Sequence, residues 1–252
     1  MLASLSQLQH AGGMISDEAA PRTARERGRA ELTTHILGIA RRHLAEHGAA
    51  ALSLRAIARE IGMSSSAIYR YFPSRDDLFT ALVIEAYDAV GEVAEAAEAE
   101  TRRSSLPTRW SALAHAIRDW AKAHPHAYAL VYGSPVPGYE APEATVDPAA
   151  RGPLAMLRIV EKGVVDGQIE AGGSPKLSAK VKADFVELRA GAGVAIPDAV
   201  LTRTFQAWFA LFGHISWELF GHLHGVITEG DAADDLFDSQ MRAAAQLLTG
   251  RA

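Results

Sequence analysis

Apolar residues recur every three or four positions along most of the chain, which is the spacing of one face of an α-helix. Segment 53–62 shows this pattern on a small scale. Its apolar positions are Leu54, Ile57, Ala58 and Ile61. Ser53 precedes them, where a hydroxyl can cap the first turn, and Gly62 follows them, where a left-handed glycine can end the helix. The pattern therefore predicts a short helix between these two residues.

A second short helix is predicted immediately after this glycine, over residues 65–72. Ser64 is placed to cap it, Ile68 and Phe72 face inward, and Pro73 ends it because proline cannot continue a helix. The outward-facing residues are Ser65, Ser66, Tyr69, Arg70 and Tyr71. Hydroxyl, aromatic and guanidinium groups suit phosphates and base edges. Two short helices joined by a tight turn therefore predict a DNA-binding helix-turn-helix.

Longer helical patterns fill the rest of the chain, and no alternation of strand length appears. Further helices are predicted over 23–47, 75–100, 108–123, a short stretch ending near residue 132, 148–171, 177–190, 197–220 and 234–248. Residues 133–148 hold four prolines and two glycines, so they are predicted to form a loop. The chain is predicted to be all-α, with a three-helix N-terminal head followed by a larger helical domain.

The predicted domain limits follow from these patterns. Residues 1–20 are weakly apolar and contain a glycine pair, and we expect either a disordered tail or a mis-assigned start there. The helix-turn-helix domain is predicted over residues 21–80 and the larger helical domain over residues 81–252.

The head closely resembles the DNA-binding domain of the TetR family of transcriptional regulators, over about residues 25–80. The matching positions are Gly48, Ser53, Ile57-Ala58, Gly62-Met63-Ser64, Tyr69, Phe72, Pro73-Ser74 and Arg75. Two positions depart from the family pattern. Ser66 stands where a Gly, Pro or Ala is usual, which adds a polar group near the bases. Arg75 stands where a Lys is common and keeps the positive charge.

A second, weaker resemblance lies in segment 207–221, which is similar to a C-terminal TetR subgroup marked by a Trp followed by a His-Gly pair. Trp208 and Gly213 match this pattern, while Phe212 stands in the histidine position, so a role for that histidine is not carried over. In TetR-like proteins the last two long helices form a four-helix bundle with their copies. The resemblance therefore implies a homodimer that binds an inverted-repeat DNA operator and responds to a small-molecule effector. Most family members are repressors.

These considerations give three sets of candidate site residues. The predicted DNA contacts are Ser53, Arg55, Ser64, Ser65, Tyr69 and Arg75 for phosphates, and Ser66, Ala67, Arg70 and Tyr71 for bases. Aromatic and soft side chains are the predicted lining of an effector site for an apolar molecule: Trp110, Trp120, Tyr128, Tyr132, Met156, Trp208 and Phe212. The predicted dimer contacts are Phe209, His214, Trp217, Leu236 and Leu247.

Charge is distributed unevenly in a way that fits DNA binding. The whole chain carries a formal charge of −5. Between Pro21 and Arg75 there are ten arginines against four acidic residues, so this head carries +6 and the remainder carries −11. A basic head on an acidic body allows one end to bind phosphates while the rest stays away from them.

The sequence offers few other residues that suggest metal binding, disulfide bonds or membrane insertion. The chain has no cysteine, no transmembrane pattern and no secretory signal, which predicts a cytoplasmic protein without thiolate metal sites. His214, Glu218 and His222 suit a metal by type, but the outer pair is about 12 Å apart along a helix, so helix-face pairing is favoured and no cofactor or metal is predicted. The alternative function is a helical small-molecule-binding protein, or an enzyme, with a vestigial helix-turn-helix.

Overall fold

A computed structural model describes residues 23–173, 176–227 and 230–250. Across these ranges the chain forms ten α-helices and no β-strand, which confirms the all-α prediction. The helices are α1 (Ala24–His47), α2 (Leu54–Glu60), α3 (Ser65–Ile68), α4 (Arg75–Glu100), α5 (Leu106–Ala123), α6 (Pro125–Tyr132), α7 (Val146–Val165), α8 (Ala179–Ala192), α9 (Asp198–Leu219) and α10 (Asp231–Thr249). The expected disordered tail at residues 1–20 lies outside the described residues.

The chain forms two compact units. The described part of the first consists of residues 23–86 and 126–145, and that of the second consists of residues 87–125 together with the described residues from 146 onward. The first unit therefore holds the helix-turn-helix and also the segment His126–Thr145, which the sequence placed with the larger domain. The predicted domain boundary at residue 80 stays a prediction.

The first unit has a small core beneath its short helices. Ile36 and Ala40 of α1, Ile57 of α2, Ile68 of α3 and Leu78 of α4 are each fully buried. Ile57 and Ile68 are among the apolar positions that the sequence pattern identified. Burying an Ile or Leu side chain contributes about 1.5–3 kcal/mol to folding, so these contacts hold the short helices in place.

The core of the second unit is built from α5, α7, α9 and α10. Its largest fully buried side chains include Trp110, Leu113 and Phe237. The indole Nε1 of Trp110 donates a hydrogen bond of 3.1 Å to the carbonyl oxygen of Met241, which satisfies its one polar atom inside the core. This bond ties α5 to α10.

Three helices begin earlier than the sequence predicted. α5 begins at Leu106 and α7 at Val146, each two residues before its predicted start, and α10 begins at Asp231. Pro107 and Pro148 therefore lie in the first turn of α5 and α7. Proline costs little there because the N–H groups of the first turn have no helical acceptor. None of the helices within the described ranges is long and apolar enough to cross a membrane.

Candidate DNA-binding surface

The turn between α2 and α3 has the predicted geometry. The Ser53 side chain caps α2 by accepting a hydrogen bond from the Ala56 N–H. Gly62 has φ of 69°, in the left-handed region that favours glycine. The backbone N–H of Met63 then donates a hydrogen bond of 2.8 Å to the carbonyl oxygen of Ala58. The tight turn fixes the direction in which α3 leaves α2.

The predicted second helix is shorter than expected. α3 ends at Ile68 instead of Phe72, and residues 69–71 form a turn. The N–H groups of Arg70 and Tyr71 donate to carbonyl oxygens three residues back instead of four. Pro73 accounts for the early end, since the residue before a proline is disfavoured in the α conformation and the preceding turn tightens. Ile68 and Phe72 are buried, as predicted.

The polar side chains predicted to face DNA lie on the outside of this element. Ser64, Ser65, Ser66 and Arg70 are exposed, and Tyr69 is 40% exposed. Ala67 and Tyr71 are half-buried. Ser64 occupies the position before α3, but its hydroxyl makes no capping bond and lies 3.2 Å from that of Ser66. The members of the predicted contact set in segment 64–71 are thus fully or partly accessible.

The arginines of the head fall into two groups. Arg41 forms an ion pair with Glu85, and Arg42 forms one with Glu60. Arg55, Arg59 and Arg70 are exposed, and none of the three forms an ion pair with another described residue. Part of the uncompensated positive charge of the head therefore lies on α2 and the segment after it. Arg59 was not among the predicted contacts, although its position one turn after Arg55 on the same helix face could have indicated it.

The Arg75 side chain forms hydrogen bonds with the protein's own backbone. Its Nε and Nη2 atoms donate to the carbonyl oxygens of Leu52 at 3.2 Å and Ala49 at 2.7 Å. These bonds brace the connection between α1 and α2 against the start of α4. A guanidinium group has five N–H donors, so donors remain for a phosphate and the predicted contact stays a prediction. Ser53 is similar, because its oxygen caps α2 while its hydroxyl proton remains free to donate.

Arg29 also contributes to this surface and was not predicted. Its Nη2 atom donates a hydrogen bond of 3.0 Å to the carbonyl oxygen of Arg70. Its guanidinium carbon lies 5.3 Å from the ring centre of Tyr71, within the range of a cation–π contact. The sequence offered no signal for this pairing, since the residues are 41 positions apart.

The predicted effector-lining residues do not come together in one unit. Tyr128 and Tyr132 belong to the first unit and the other five to the second. Trp110 and Tyr128 have no exposed surface and are packed in the core. Trp120, Met156 and Trp208 retain 4–7% exposure, and Trp208 packs against Phe212 with ring centres 4.6 Å apart.

A cleft of about 510 Å³ opens in the second unit at the end of α9, and its lining includes Lys122, Glu218, Leu219, Leu223 and Ile227. None of the seven predicted effector-lining residues lies in it. The cleft therefore gives the predicted set no support, and the effector role of those residues stays a prediction.

The predicted dimer contacts include the most exposed large side chains of α9 and α10. Phe209 is 59% exposed, Trp217 58% and Leu247 40%. Leu236 and His214 are half-buried. The opposite faces of both helices are buried in the core. An apolar face that remains outside the core of a unit is typical of a protein interface.

Two of the three possible metal ligands near the end of α9, Glu218 and His222, contact other side chains of the protein instead. Glu218 accepts two hydrogen bonds from Arg118, at 2.8 Å and 2.7 Å. Burial of Arg118 disfavours its charge, but Glu218 and Asp234 outweigh this and raise the pKa of the guanidinium. His222 packs against Trp217 with ring centres 5.7 Å apart. Within the described ranges no three His, Cys, Asp or Glu side chains are grouped so that they could hold a metal ion.

The first unit and its basic, hydroxyl-rich surface define a DNA-binding protein of the helix-turn-helix class. Comparison with known proteins identifies the family. The family model described as bacterial regulatory proteins, tetR family, matches residues 36–82. The model described as tetracyclin repressor-like, C-terminal domain, matches residues 110–244, more than half of the chain. The protein therefore belongs to the TetR family and is a DNA-binding transcriptional regulator.

Individual relatives agree with this assignment. The HTH-type transcriptional regulator Rv1816 of Mycobacterium tuberculosis is 37% identical over 225 residues, which cover 89% of this chain and 95% of the relative. The crystal structure of SCO4313, described as a regulatory protein, shares 33% identity with a TM-score of 0.71, covering 88% of this chain and 98% of that one. A protein of unknown function from Rhodococcus sp. RHA1 shares 26% identity with a TM-score of 0.62, covering 85% and 96%.

Proposed function

We propose that this regulator is a homodimeric repressor that binds an inverted-repeat operator in the cytoplasm and releases it when a small, largely apolar molecule binds its second unit. The observation that carries the proposal is the exposed aromatic face of α9. Phe209 and Trp217 of α9 are 59% and 58% exposed and lie about two turns apart. Phe220, which follows the last residue of α9, is 44% exposed.

The outward face of α10 supports the same interface. Leu236, Gln240, Ala243 and Leu247 follow helical spacing, and the side chains between them, such as Met241, point into the core. This face combines two leucines, the small Ala243 and the amide of Gln240. Such side chains allow helices to pack closely. A stable dimer buries about 1,200–2,000 Å² in total, and two helices from each subunit can supply that area.

A two-fold dimer implies the form of the operator. Each subunit presents one α3 segment, and a two-fold axis relates the two segments, so the preferred DNA is an inverted repeat. Half-site centres would be about 34–36 Å apart, one turn of the duplex. In this proposal Arg55, Ser65 and Tyr69 bind phosphates, while Ser66 and Arg70 contact base edges from the major groove.

The proposed effector site lies in the second unit, among side chains that keep some accessible surface. Met156, Trp208 and Phe212 offer thioether and aromatic groups. The Trp208 ring lies next to Gly152, at an ordinary contact distance of 3.8 Å from the place of a Cβ atom there. Such surfaces favour an apolar or aromatic ligand. Binding there would release the operator if the ligand prefers a conformation with different half-site spacing.

Selection of bound duplexes from a random library tests the proposal. The purified protein is incubated with the library at moderate salt, and the retained DNA is sequenced. The proposal predicts an enriched inverted repeat, and a panel of aromatic and aliphatic compounds should contain molecules that release the protein from it. Binding without sequence enrichment that disappears steeply with salt would indicate only non-specific phosphate contact and would contradict the proposal.

A further inference from the structure

Arg29 links the start of α1 to the last residues of the DNA-binding segment. It lies on the same helix face as Ile36 and Ala40, which are fully buried against the rest of the head. This face directs the Arg29 side chain toward the α3 segment. There it donates to the carbonyl oxygen of Arg70 at 3.0 Å and lies over the ring of Tyr71 at 5.3 Å.

The segment that Arg29 contacts has little support of its own. α3 has four residues, and Arg70 and Tyr71 follow it in a turn. So short a helix gains little from its own hydrogen bonds, and the carbonyl groups past its end have no helical partners. A guanidinium that bonds the Arg70 carbonyl and stacks on the neighbouring ring restricts the backbone and the side chain of two successive residues.

We propose that Arg29 is a positioning residue for sequence recognition: it orients Arg70 and Tyr71 and so determines base preference more than overall DNA affinity. The inference rests on the proposed function, in which these two residues face bases. Arg29 is distinct from an ordinary phosphate-binding arginine, because two of its interactions are directed inward, to the protein's own recognition segment.

The chemistry of the side chain separates the two roles. Lysine keeps the positive charge of arginine but lacks the planar guanidinium group with its several N–H donors. Its compact ammonium group cannot donate to the Arg70 carbonyl and stack on the Tyr71 ring at the same time. Arg29→Lys therefore removes the positioning contacts while it preserves the charge available to a phosphate. Arg29→Gln removes both. Arg27 offers a matched control, since it is an exposed arginine two residues earlier on α1 whose side chain makes no hydrogen bond or ion pair with the described residues.

The experiment repeats the library selection with wild type, Arg29→Lys, Arg29→Gln, Arg27→Lys and Arg27→Gln. For each protein, affinities for the selected operator and for a scrambled duplex are then measured across a salt series. Thermal unfolding of each variant confirms that the fold is retained. The ratio of the two affinities reports base discrimination, and the salt slope reports the number of phosphates neutralised.

The expected result is that Arg29→Lys lowers the discrimination ratio about tenfold, the size of one base contact, with an unchanged salt slope. Arg29→Gln should lose the same discrimination, while both Arg27 variants keep it. The inference is overturned if Arg29→Lys discriminates like wild type, or if Arg29→Gln weakens operator and scrambled duplex by one common factor with a slope smaller by about one. If wild type itself enriches no sequence, the proposed function fails, and this outcome is distinct from a failure at Arg29.

Discussion

The hydroxyl oxygen of Tyr139 lies 3.0 Å from Oγ1 of Thr80, and the Tyr139 ring packs edge-on against Phe79 with ring centres 4.5 Å apart. Tyr139 belongs to the proline-rich loop after α6, and Thr80 and Phe79 lie near the start of α4. Burial raises the pKa of Tyr139, the charge of Asp76 adds to this, and the Thr80 hydrogen bond opposes it. The phenol therefore stays protonated at neutral pH and anchors the loop to the start of α4.

Removing this hydrogen bond should destabilise the protein. Tyr139→Phe and Thr80→Val are each expected to lower the free energy of unfolding by about 1 kcal/mol, the net value of such a bond. The double variant should lose little more than either single variant, because both remove the same interaction. Denaturant unfolding measures all four proteins. Strictly additive losses would show that the two side chains do not interact.

Gly91 of α4 leaves space for Arg151 of α7. A Cβ atom at Gly91 would lie 2.6 Å from Cβ of Arg151, closer than real contacts allow. Arg151 also bonds Asp88 at 2.8 Å and Glu95 at 2.7 Å, and Glu95 contributes most to raising the pKa of its guanidinium. These bonds hold Arg151 against α4, so it cannot easily move aside for a side chain at Gly91.

We therefore expect Gly91→Ala to destabilise the protein by about 1–3 kcal/mol, as overpacking does. The matched control is Gly28→Ala in α1, where a Cβ atom would meet nothing within 4 Å. This variant should stabilise the protein by up to about 1 kcal/mol through helix propensity. Thermal or denaturant unfolding measures both. A stabilising effect of Gly91→Ala similar to that of Gly28→Ala would mean that α7 does not pack closely on α4.

The limits of several helices were predictable because local residues determine them. α1 ends where Gly48 takes φ of 75°, and Thr23 and Glu26 form a capping box at its start. α4 begins after Ser74, whose hydroxyl accepts from the Asp77 N–H at 3.1 Å. Such signals act over three or four residues, so they can be identified directly in the sequence.

Contacts between distant residues were not predictable in this way. The early end of α3 depends on a competition between turn and helical hydrogen bonds before Pro73. The spacing of apolar residues along the sequence carries no information about this competition. Arg29 meets Arg70 and Arg118 meets Glu218 only after folding, at separations of 41 and 100 residues. The sequence therefore indicated the short helices and the turn of the helix-turn-helix but not the distant residues that contact them.

His214 makes stability depend on pH. Its ring packs against Phe237 with centres 5.2 Å apart, and its Nε2 atom is buried without a hydrogen-bond partner among the described residues. Burial lowers its pKa below the ordinary 6.5, and Arg118 adds to this while Glu218 opposes it. Below pH 6.5 the unfolded chain binds a proton that the folded protein does not, so stability falls as the pH falls from 6.5 toward the folded pKa.

In His214→Gln this contribution is absent. The free energy of unfolding should fall less steeply for the variant than for wild type between pH 7 and 5.5, by at most about 1.4 kcal/mol per pH unit. Denaturant unfolding at several pH values measures the two slopes. Parallel slopes would show that His214 titrates equally in the folded and unfolded states.

The exposed face of α9 should control assembly. Phe209→Glu and Trp217→Glu place a charge in the proposed interface, where it would be desolvated without a partner. Each is expected to weaken dimerisation more than about 100-fold and to reduce operator binding accordingly. Val165→Glu is the control, because Val165 is 78% exposed at the end of α7, a helix that supplies none of the proposed interface residues. Sedimentation velocity measures the assembly. Dimers that persist in both α9 variants would assign the interface elsewhere.

Recognition of an inverted repeat by a two-fold dimer can be tested by comparing three duplexes built from the selected operator. One keeps both half-sites, one has a scrambled half-site, and one has five base pairs inserted between the half-sites, which turns them to opposite sides of the duplex. The second and third duplexes should bind at least about 100-fold more weakly than the first, since each allows only one subunit to make its contacts. Equal affinity for all three would mean that a single head accounts for binding, and recognition by a two-fold dimer would be disproved.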